Sequence, residues 1–213
     1  MRILLQRLPK AVPDKEKSCR APSEDRRLEL FFALLVLAGT FLGAFLARRA
    51  DASVLEKLDF LFNSNFAQRA DTPSIRVFLA SAASVSFFLI TEFLTGLAVW
   101  GVGVVPLLPF VRGLGLGMTG GYLLFTEGSW GFVFYLSVLL PGAFFSCLSV
   151  IWEASFAMRF SWQLRKSGLT DSEMEAPHMS AFLQQTGKAL LLGFVGAAVD
   201  TLTATAFAPY FPF

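Results

Sequence analysis

The first apolar run of this chain is about as long as a lipid bilayer is thick. It reads LELFFALLVLAGTFLGAFLA over residues 28–47 and lies between Arg26-Arg27 and Arg48-Arg49. A helix rising about 1.5 Å per residue would cross a hydrocarbon core of about 30 Å with such a run. With 54% hydrophobic residues, 16% charged residues and a mean hydropathy of +0.58, the whole chain is also too apolar for a water-facing surface. The sequence therefore predicts an integral membrane protein.

A second apolar stretch, from Val77 to Val111, is too long for a single crossing. Glycine and proline interrupt it, and a tight reversal between Trp100 and Pro106 would divide it into two spans. The residues that interrupt it are Gly101, Gly103, Pro106 and Pro109. After a short turn at 126–129, two further runs follow. We predict an all-α membrane protein with about five helices in a compact bundle, at about 28–47, 77–99, 104–125, 130–156 and 181–211.

The polar segments predict the domain organisation and the orientation. Residues 1–27 form a basic cytoplasmic arm and 28–213 the membrane domain, in which an amphipathic outer segment at 53–66 opens with a capping box. Eight Lys and Arg residues lie in the arm, and the predicted topology adds to that side Arg112, Arg159, Arg165, Lys166 and Lys188. Although residues 48–76 also hold basic residues, this excess predicts a cytoplasmic N-terminus and an outer C-terminus.

Small residues recur at four-residue spacing, which lets helix backbones approach closely. The helix-packing candidates are Gly39, Gly43, Gly113, Gly117, Gly121, Gly193 and Ala197. The run from Gly115 to Gly120 also has the spacing of a dinucleotide-binding loop, but that site needs a preceding strand, and here the glycines lie in an apolar run. Close packing is the better interpretation. Pro141, inside the fourth span, predicts a helix kink.

Four acidic residues fall at or within the apolar runs: Glu92, Glu127, Glu153 and Asp200. An acid at the bilayer centre costs about 2.5–3.5 kcal/mol, so it should face the bundle or a wet cavity. Glu127 is expected at the membrane surface, beside Gly128. The others allow two hypotheses, an ion or proton path built on Glu92 and Asp200, or structural pairing with Arg112 or Arg159.

The sequence lacks the residues and motifs that are usual in enzyme active sites. The single histidine, His178, lies in a polar loop, and no Gly-x-Ser-x-Gly or His-Glu-x-x-His motif occurs. Cys19 and Cys147 lie in segments unlike each other, so neither a disulfide framework nor a metal site is predicted. The basic residues form no stripe with interleaved aromatics, which disfavours nucleic acid as a partner. We expect no enzymatic activity and no cofactor, and we expect membrane lipids as surroundings.

Three segments resemble the stage II sporulation protein M family of endospore-forming bacteria. They are PLLPFVRGLGLGMTGGYL (106–123), GSWGF (128–132) and LLPGAFF (139–145), and the order and length of the other spans agree over about residues 28–212. One departure is visible after Pro141. Many relatives carry a histidine and then a glutamate there, whereas this chain has Gly142 and Ser146.

The resemblance implies a mother-cell membrane protein needed for engulfment of the forespore. Its expected role is a non-enzymatic scaffold that anchors two peptidoglycan-degrading partners, a lytic transglycosylase and an amidase/endopeptidase, at the septal membrane. The residues alone leave two alternatives open. One is a small transporter, channel or permease subunit that uses Glu92 and Asp200, and the other is a regulatory subunit whose soluble partner binds the basic arm.

Overall fold

The computed structural model describes residues 22–49, 74–169, 179–207 and 210. All regular secondary structure in these ranges is helical, and these ranges contain no strand. The elements are α1 (Pro22–Ala47), α2 (Ser74–Gly96), the short α3 (Gly101–Val104), α4 (Leu107–Phe134), a π-helical turn (Tyr135–Leu139), α5 (Leu140–Leu169) and α6 (Met179–Phe207). The predicted outer segment 53–66 and residues 1–21 of the predicted arm lie outside the described residues.

Five of these helical segments are long and apolar enough to cross a membrane. They are Arg26–Ala47, Ser74–Gly96, Gly101–Phe125, Glu127–Lys166 and Met179–Phe207. The predicted all-α class with five spans is therefore confirmed. The ends differ in detail, because α1 begins at Pro22, within the predicted arm, and α6 ends at Phe207 rather than at 211.

The fourth span is much longer than its predicted range of 130–156. At 40 residues and about 1.5 Å per residue, it is about twice as long as the hydrocarbon core is thick. The basic residues after position 156 favour a loop, but packing contacts keep this segment helical. Ala157 and Ser161 are fully buried, and the Ser161 hydroxyl donates a hydrogen bond to the Ala98 carbonyl oxygen at 2.7 Å. The turn after α2 thus supports the extended end of α5.

The division of the long apolar stretch lies where glycine and proline predict it. Helix α2 ends at Gly96, the chain turns, and α4 begins directly after Pro106. Gly101 is needed in this turn, because a Cβ there would overlap the Thr95 carbonyl oxygen and lie 2.9 Å from the Ser161 hydroxyl. The second and third spans are therefore separate helices joined by a tightly packed reversal.

The turn between the third and fourth spans depends on Gly128. Its φ is 63° and its ψ is −139°, a backbone conformation that is open almost only to glycine. Two helical segments meet at this residue, which gives the predicted turn at 126–129. Glu127 is exposed beside it, as the sequence predicts for a residue at the membrane surface.

We expect Gly128→Ala to destabilise the bundle by about 1–3 kcal/mol, because the alanine Cβ is strained at this φ and ψ. No atom lies within 4 Å of the Cβ position, so backbone strain is the sole cause. The measurement is the free energy of unfolding in mixed micelles. Gly103→Ala is the matched control, since the space around Gly103 is equally open and its φ is ordinary. Equal effects of the two substitutions would contradict this account.

The helix passes Pro141 by means of a π-helical turn. The Leu140 N–H donates to the carbonyl oxygen of Tyr135, five residues earlier, so the helix is widened immediately before the proline. Proline has no N–H and its ring crowds the carbonyl four residues before it. The sequence predicts a kink at this residue, and the structure places the wider turn there.

Helix α1 packs along α4 through glycines of both helices. A Cβ at Gly39 or Gly43 would overlap the carbonyl oxygen of Phe110 or Leu114 in α4. In return, a Cβ at Gly113 or Gly117 would overlap a carbonyl oxygen of α1. Farther along, a Cβ at Gly121 would lie 2.8 Å from the Cβ of Ala47. The two backbones are therefore in direct contact along most of the first span.

Helices α2, α5 and α6 form the other half of the bundle. A Cβ at Gly193 would lie 2.5 Å from Val85 Cγ1, and Ala197 is 1% exposed. Gly196 faces α5, where an added Cβ would lie 3.0 Å from the Phe145 Cβ. Small residues of α6 thus bring it close to both neighbours, and the polar side chains described below lie among these helices and α4.

Candidate functional site

The polar residues predicted inside the membrane are all buried in the bundle. Glu92 and Glu153 have no exposed surface, and Asp200 and Arg112 are 6% and 8% exposed. None of the four faces lipid. They divide into two clusters at different depths.

The first group, called the arginine cluster, consists of Arg112 with Ser81, Ser84, Ser146 and Asp200. Arg112 Nε and Nη2 donate hydrogen bonds to Ser146 Oγ at 3.1 and 2.6 Å, and Nη1 donates to Ser84 Oγ at 3.0 Å. The guanidinium carbon also lies 5.2 Å from the centre of the Phe88 ring. The guanidinium of this α4 residue is therefore held by side chains of α2 and α5.

Asp200 supplies the negative charge of the arginine cluster. It accepts a hydrogen bond from the Ser81 hydroxyl, and its charge interacts with that of Arg112. Its side chain lies against α5 at Gly142, where an added Cβ would come 3.1 Å from Asp200 Cγ. Opposite charges inside a bundle compensate each other, so this arrangement has the character of structural pairing.

One of the cations used to predict the orientation is not at a span end. Arg112 is predicted to lie among the cations near the span ends, but it lies near the middle of the span Gly101–Phe125 and is buried. Its position is set by Ser84, Ser146 and Asp200. It therefore carries no information on which side is cytoplasmic, and that part of the count was wrong.

The second group, called the carboxyl cluster, consists of Glu92, Glu153, Gln185 and Thr186. Thr186 Oγ1 donates a hydrogen bond to Glu153 Oε1 at 2.6 Å. Both carboxyl oxygens of Glu92, together with Glu153 Oε2 and Gln185 Nε2, are buried without a hydrogen-bond partner among the described residues. The charges of Glu92 and Glu153 act on each other. Two acids thus share one buried site.

An apolar layer separates the two clusters. Glu92 lies eleven positions after Ser81 along α2, a rise of about 16 Å. Between these depths the helices bring together side chains that are fully buried, namely Leu89, Val150 and Ala189. Glu92 therefore lies near Glu153 and not near Asp200. A path joining Glu92 to Asp200 would have to cross this apolar layer.

Aromatic rings cover the carboxyl cluster on its other side. Phe182 stacks on Phe93 with ring centres 5.0 Å apart and on Phe160 with centres 4.6 Å apart. On each helix, the aromatic ring lies closer to the bundle end that carries the α1 N-terminus than the carboxyl-cluster residue of that helix does. The carboxyl cluster is thus enclosed between apolar layers.

The serine and threonine partners of the charged residues were not predicted from the sequence. A signal was present in α5, where Ser146, Ser149 and Glu153 recur at helical spacing in an apolar helix. In α2, Ser81, Ser84, and Glu92 follow the same pattern. Such spacing places polar groups on one helix face. This spacing does not show which helix faces are in contact.

The family assignment rests on a match along most of the chain. The family model described as Stage II sporulation protein M matches residues 32–207. The chain belongs to this family. No curated protein matches the chain, and no solved structure matches it. The predicted resemblance is therefore confirmed by the family match.

Membership in the Stage II sporulation protein M family identifies a sporulation-related, multi-pass membrane protein. The matched residues begin inside α1 and end with α6, so both polar clusters lie within the family region. Two family positions after Pro141 contact or belong to the arginine cluster. Gly142 gives Asp200 its space, and Ser146 accepts hydrogen bonds from Arg112.

Proposed function

We propose that this protein is a non-enzymatic membrane scaffold of the sporulation engulfment machinery. It would anchor a lytic transglycosylase and an amidase/endopeptidase at the septal membrane of the mother cell. The observation that carries the proposal is the match of the Stage II sporulation protein M family to residues 32–207, which include nearly all of the five spans.

The distribution of polar and apolar side chains supports a scaffold. Glu92, Arg112, Glu153 and Asp200 are enclosed inside the bundle, while the outward faces carry large apolar residues. Those more than 60% exposed include Leu37, Phe41, Phe87, Leu191 and Leu202. Such faces suit contact with lipid and with the single membrane anchors of partner enzymes.

The proposed orientation has a cytoplasmic N-terminus. In the described residues, one end of the bundle carries Arg26, Arg27, Arg159, Arg165 and Lys166, and the other carries Arg48, Arg49 and Arg76. Lys166 also lies 4.0 Å from the centre of the Trp162 ring, a pairing suited to a membrane interface. The excess of basic residues favours the first end as cytoplasmic.

The decisive experiment removes the protein from sporulating cells and then restores it with an affinity tag. We expect engulfment to stop without the protein, and the tagged chain to recover both peptidoglycan hydrolases from solubilised membranes. Normal engulfment in the deletion strain would rule out an essential scaffold. Recovery of neither hydrolase, even after crosslinking, would rule out the anchoring role.

Site-directed photocrosslinking would locate the partners on the bundle. Crosslinkers placed at outward positions, such as Phe41, Phe87 and Leu202, should capture hydrolase anchors from at least one helix face. Leu89 and Val150 are the matched controls, since both are buried and should yield crosslinks only within the chain. Hydrolase adducts at the buried positions and none at the outward ones would contradict the proposed docking.

A further inference from the structure

We propose that the carboxyl cluster is an occluded binding site for one small monovalent cation, either Na⁺ or a proton. This site is independent of the scaffold role. Its residues are Glu92 of α2, Glu153 of α5, and Gln185 and Thr186 of α6. Each is at least nine-tenths buried. The helices therefore present two acids to a shared interior space.

The unpartnered oxygens indicate that a ligand is needed. Among the described residues, only one of the four carboxyl oxygens accepts a hydrogen bond, that of Thr186. Buried carboxylates are stable only when they are paired, hydrogen-bonded or neutralised. Here the charge acting on Glu92 is that of Glu153, which is repulsive. A cation between the two acids would relieve this repulsion and engage the free oxygens.

Two arginines of the bundle each have a partner other than these acids. Arg112 belongs to the arginine cluster, on the far side of the layer that contains Leu89. The guanidinium of Arg159, six residues beyond Glu153 on α5, lies 5.2 Å from the Phe156 ring centre. A bound cation would supply compensating charge directly at the unpartnered carboxyl oxygens.

The size of the cluster favours a monovalent ion. The described residues contain no group of three His, Cys, Asp or Glu that could hold a metal ion. Calcium takes six to eight oxygen ligands, and magnesium keeps several waters, which this apolar enclosure does not favour. Na⁺ and a proton need fewer partners, and both neutralise a carboxylate by one charge.

The enclosure predicts the route of entry. The layer of Leu89, Val150 and Ala189 closes the cluster toward the bundle centre. On the other side, the stacked rings of Phe93, Phe160 and Phe182 separate it from the nearer bundle end. Glu92 lies only four residues from the end of α2. Movement of the Phe182 ring would therefore open the site to the end that we propose to be cytoplasmic.

The test uses the purified full-length protein in lipid vesicles and dicyclohexylcarbodiimide, which modifies protonated carboxyl groups in apolar surroundings. We expect modification at Glu92 or Glu153, located by mass spectrometry. Glu127 is an internal control, because it is exposed and should stay unmodified. Protection by NaCl, but not by choline chloride, would identify Na⁺. Modification that rises as the pH falls, without protection by NaCl, would identify the proton.

Melting temperature gives a second measurement. If Na⁺ binds, the wild-type melting temperature rises with NaCl and not with choline chloride, since a ligand of the folded state stabilises it. Glu92→Gln should abolish that rise, and Asp200→Asn, in the other cluster, should keep it. A rise produced by CaCl₂ or MgCl₂ alone would overturn the monovalent assignment.

The wild-type protein alone can refute the site, even if the variants fold poorly. Absence of modification at both glutamates at every pH, together with no effect of NaCl on melting, would overturn the proposal. Because no hydrolase is present in these experiments, that result would leave the scaffold proposal standing. Conversely, normal engulfment without the protein would leave the cation site standing.

Discussion

Replacing Gly117 by alanine is expected to destabilise the folded bundle by about 2–3 kcal/mol, in the range of overpacked cores. The added Cβ would overlap the Thr40 carbonyl oxygen and lie 2.8 Å from the Cα of Thr40. Both are backbone atoms of α1, so no side-chain rotation can make room. The helices would have to separate along the contact that Gly39, Gly43 and Gly113 also form.

The matched control for Gly117→Ala is Gly187→Ala. Gly187 also lies inside a membrane helix, but no atom is within 4 Å of its Cβ position. Alanine is a better helix former than glycine by about 1 kcal/mol, so this control should be neutral or stabilising. The measurement is unfolding in mixed micelles with increasing dodecyl sulfate. Equal shifts for the two variants would show that the backbone contact between α1 and α4 is unimportant.

Removing the charge of Arg112 is expected to have the largest effect of any single polar substitution in the spans. Arg112→Met keeps an apolar stem but leaves Asp200 buried without its compensating cation. Breaking a buried charge pair by removing one partner costs about 3–5 kcal/mol. Ser84 and Ser146 would also lose the hydrogen bonds that the guanidinium donates. The unfolding free energy in mixed micelles measures this loss.

A double variant distinguishes pairing from simple loss of packing. In Arg112→Met with Asp200→Asn, both charges are absent, so the double variant should be more stable than the sum of the single effects predicts. Arg165→Met is the control for removing an exposed cation and should change stability by about 0.5 kcal/mol or less. Strictly additive effects would show that Arg112 and Asp200 act independently.

The small-residue spacing in α1 and α4 could be read from the sequence because it is local. Four residues make about one helical turn, so Gly113, Gly117 and Gly121 necessarily share a face. That this face meets Gly39 and Gly43 of α1 depends on which helices are neighbours. Spacing within one helix does not contain that information.

The extended α5 shows why a span end is harder to predict than its existence. Residues 157–166 mix basic and aromatic side chains, which is typical of an interface loop or of a helix that emerges from the bilayer. The helix continues because Ala157 packs against Gly96 at the end of α2 and Ser161 donates a hydrogen bond to Ala98 in the turn that follows. That contact joins residues more than 60 positions apart and has no local signal.

The length and apolar character of the runs determined that the described residues contain five helices able to cross a membrane, since helix rise and bilayer thickness leave little choice. Glycine and proline determined where the long stretch divides. The pairing of the buried charges was decided by the tertiary structure. Glu92 lies near Glu153, and Asp200 lies near Arg112, because interhelical contacts align the neighbouring helices. That alignment sets the depth at which each side chain lies.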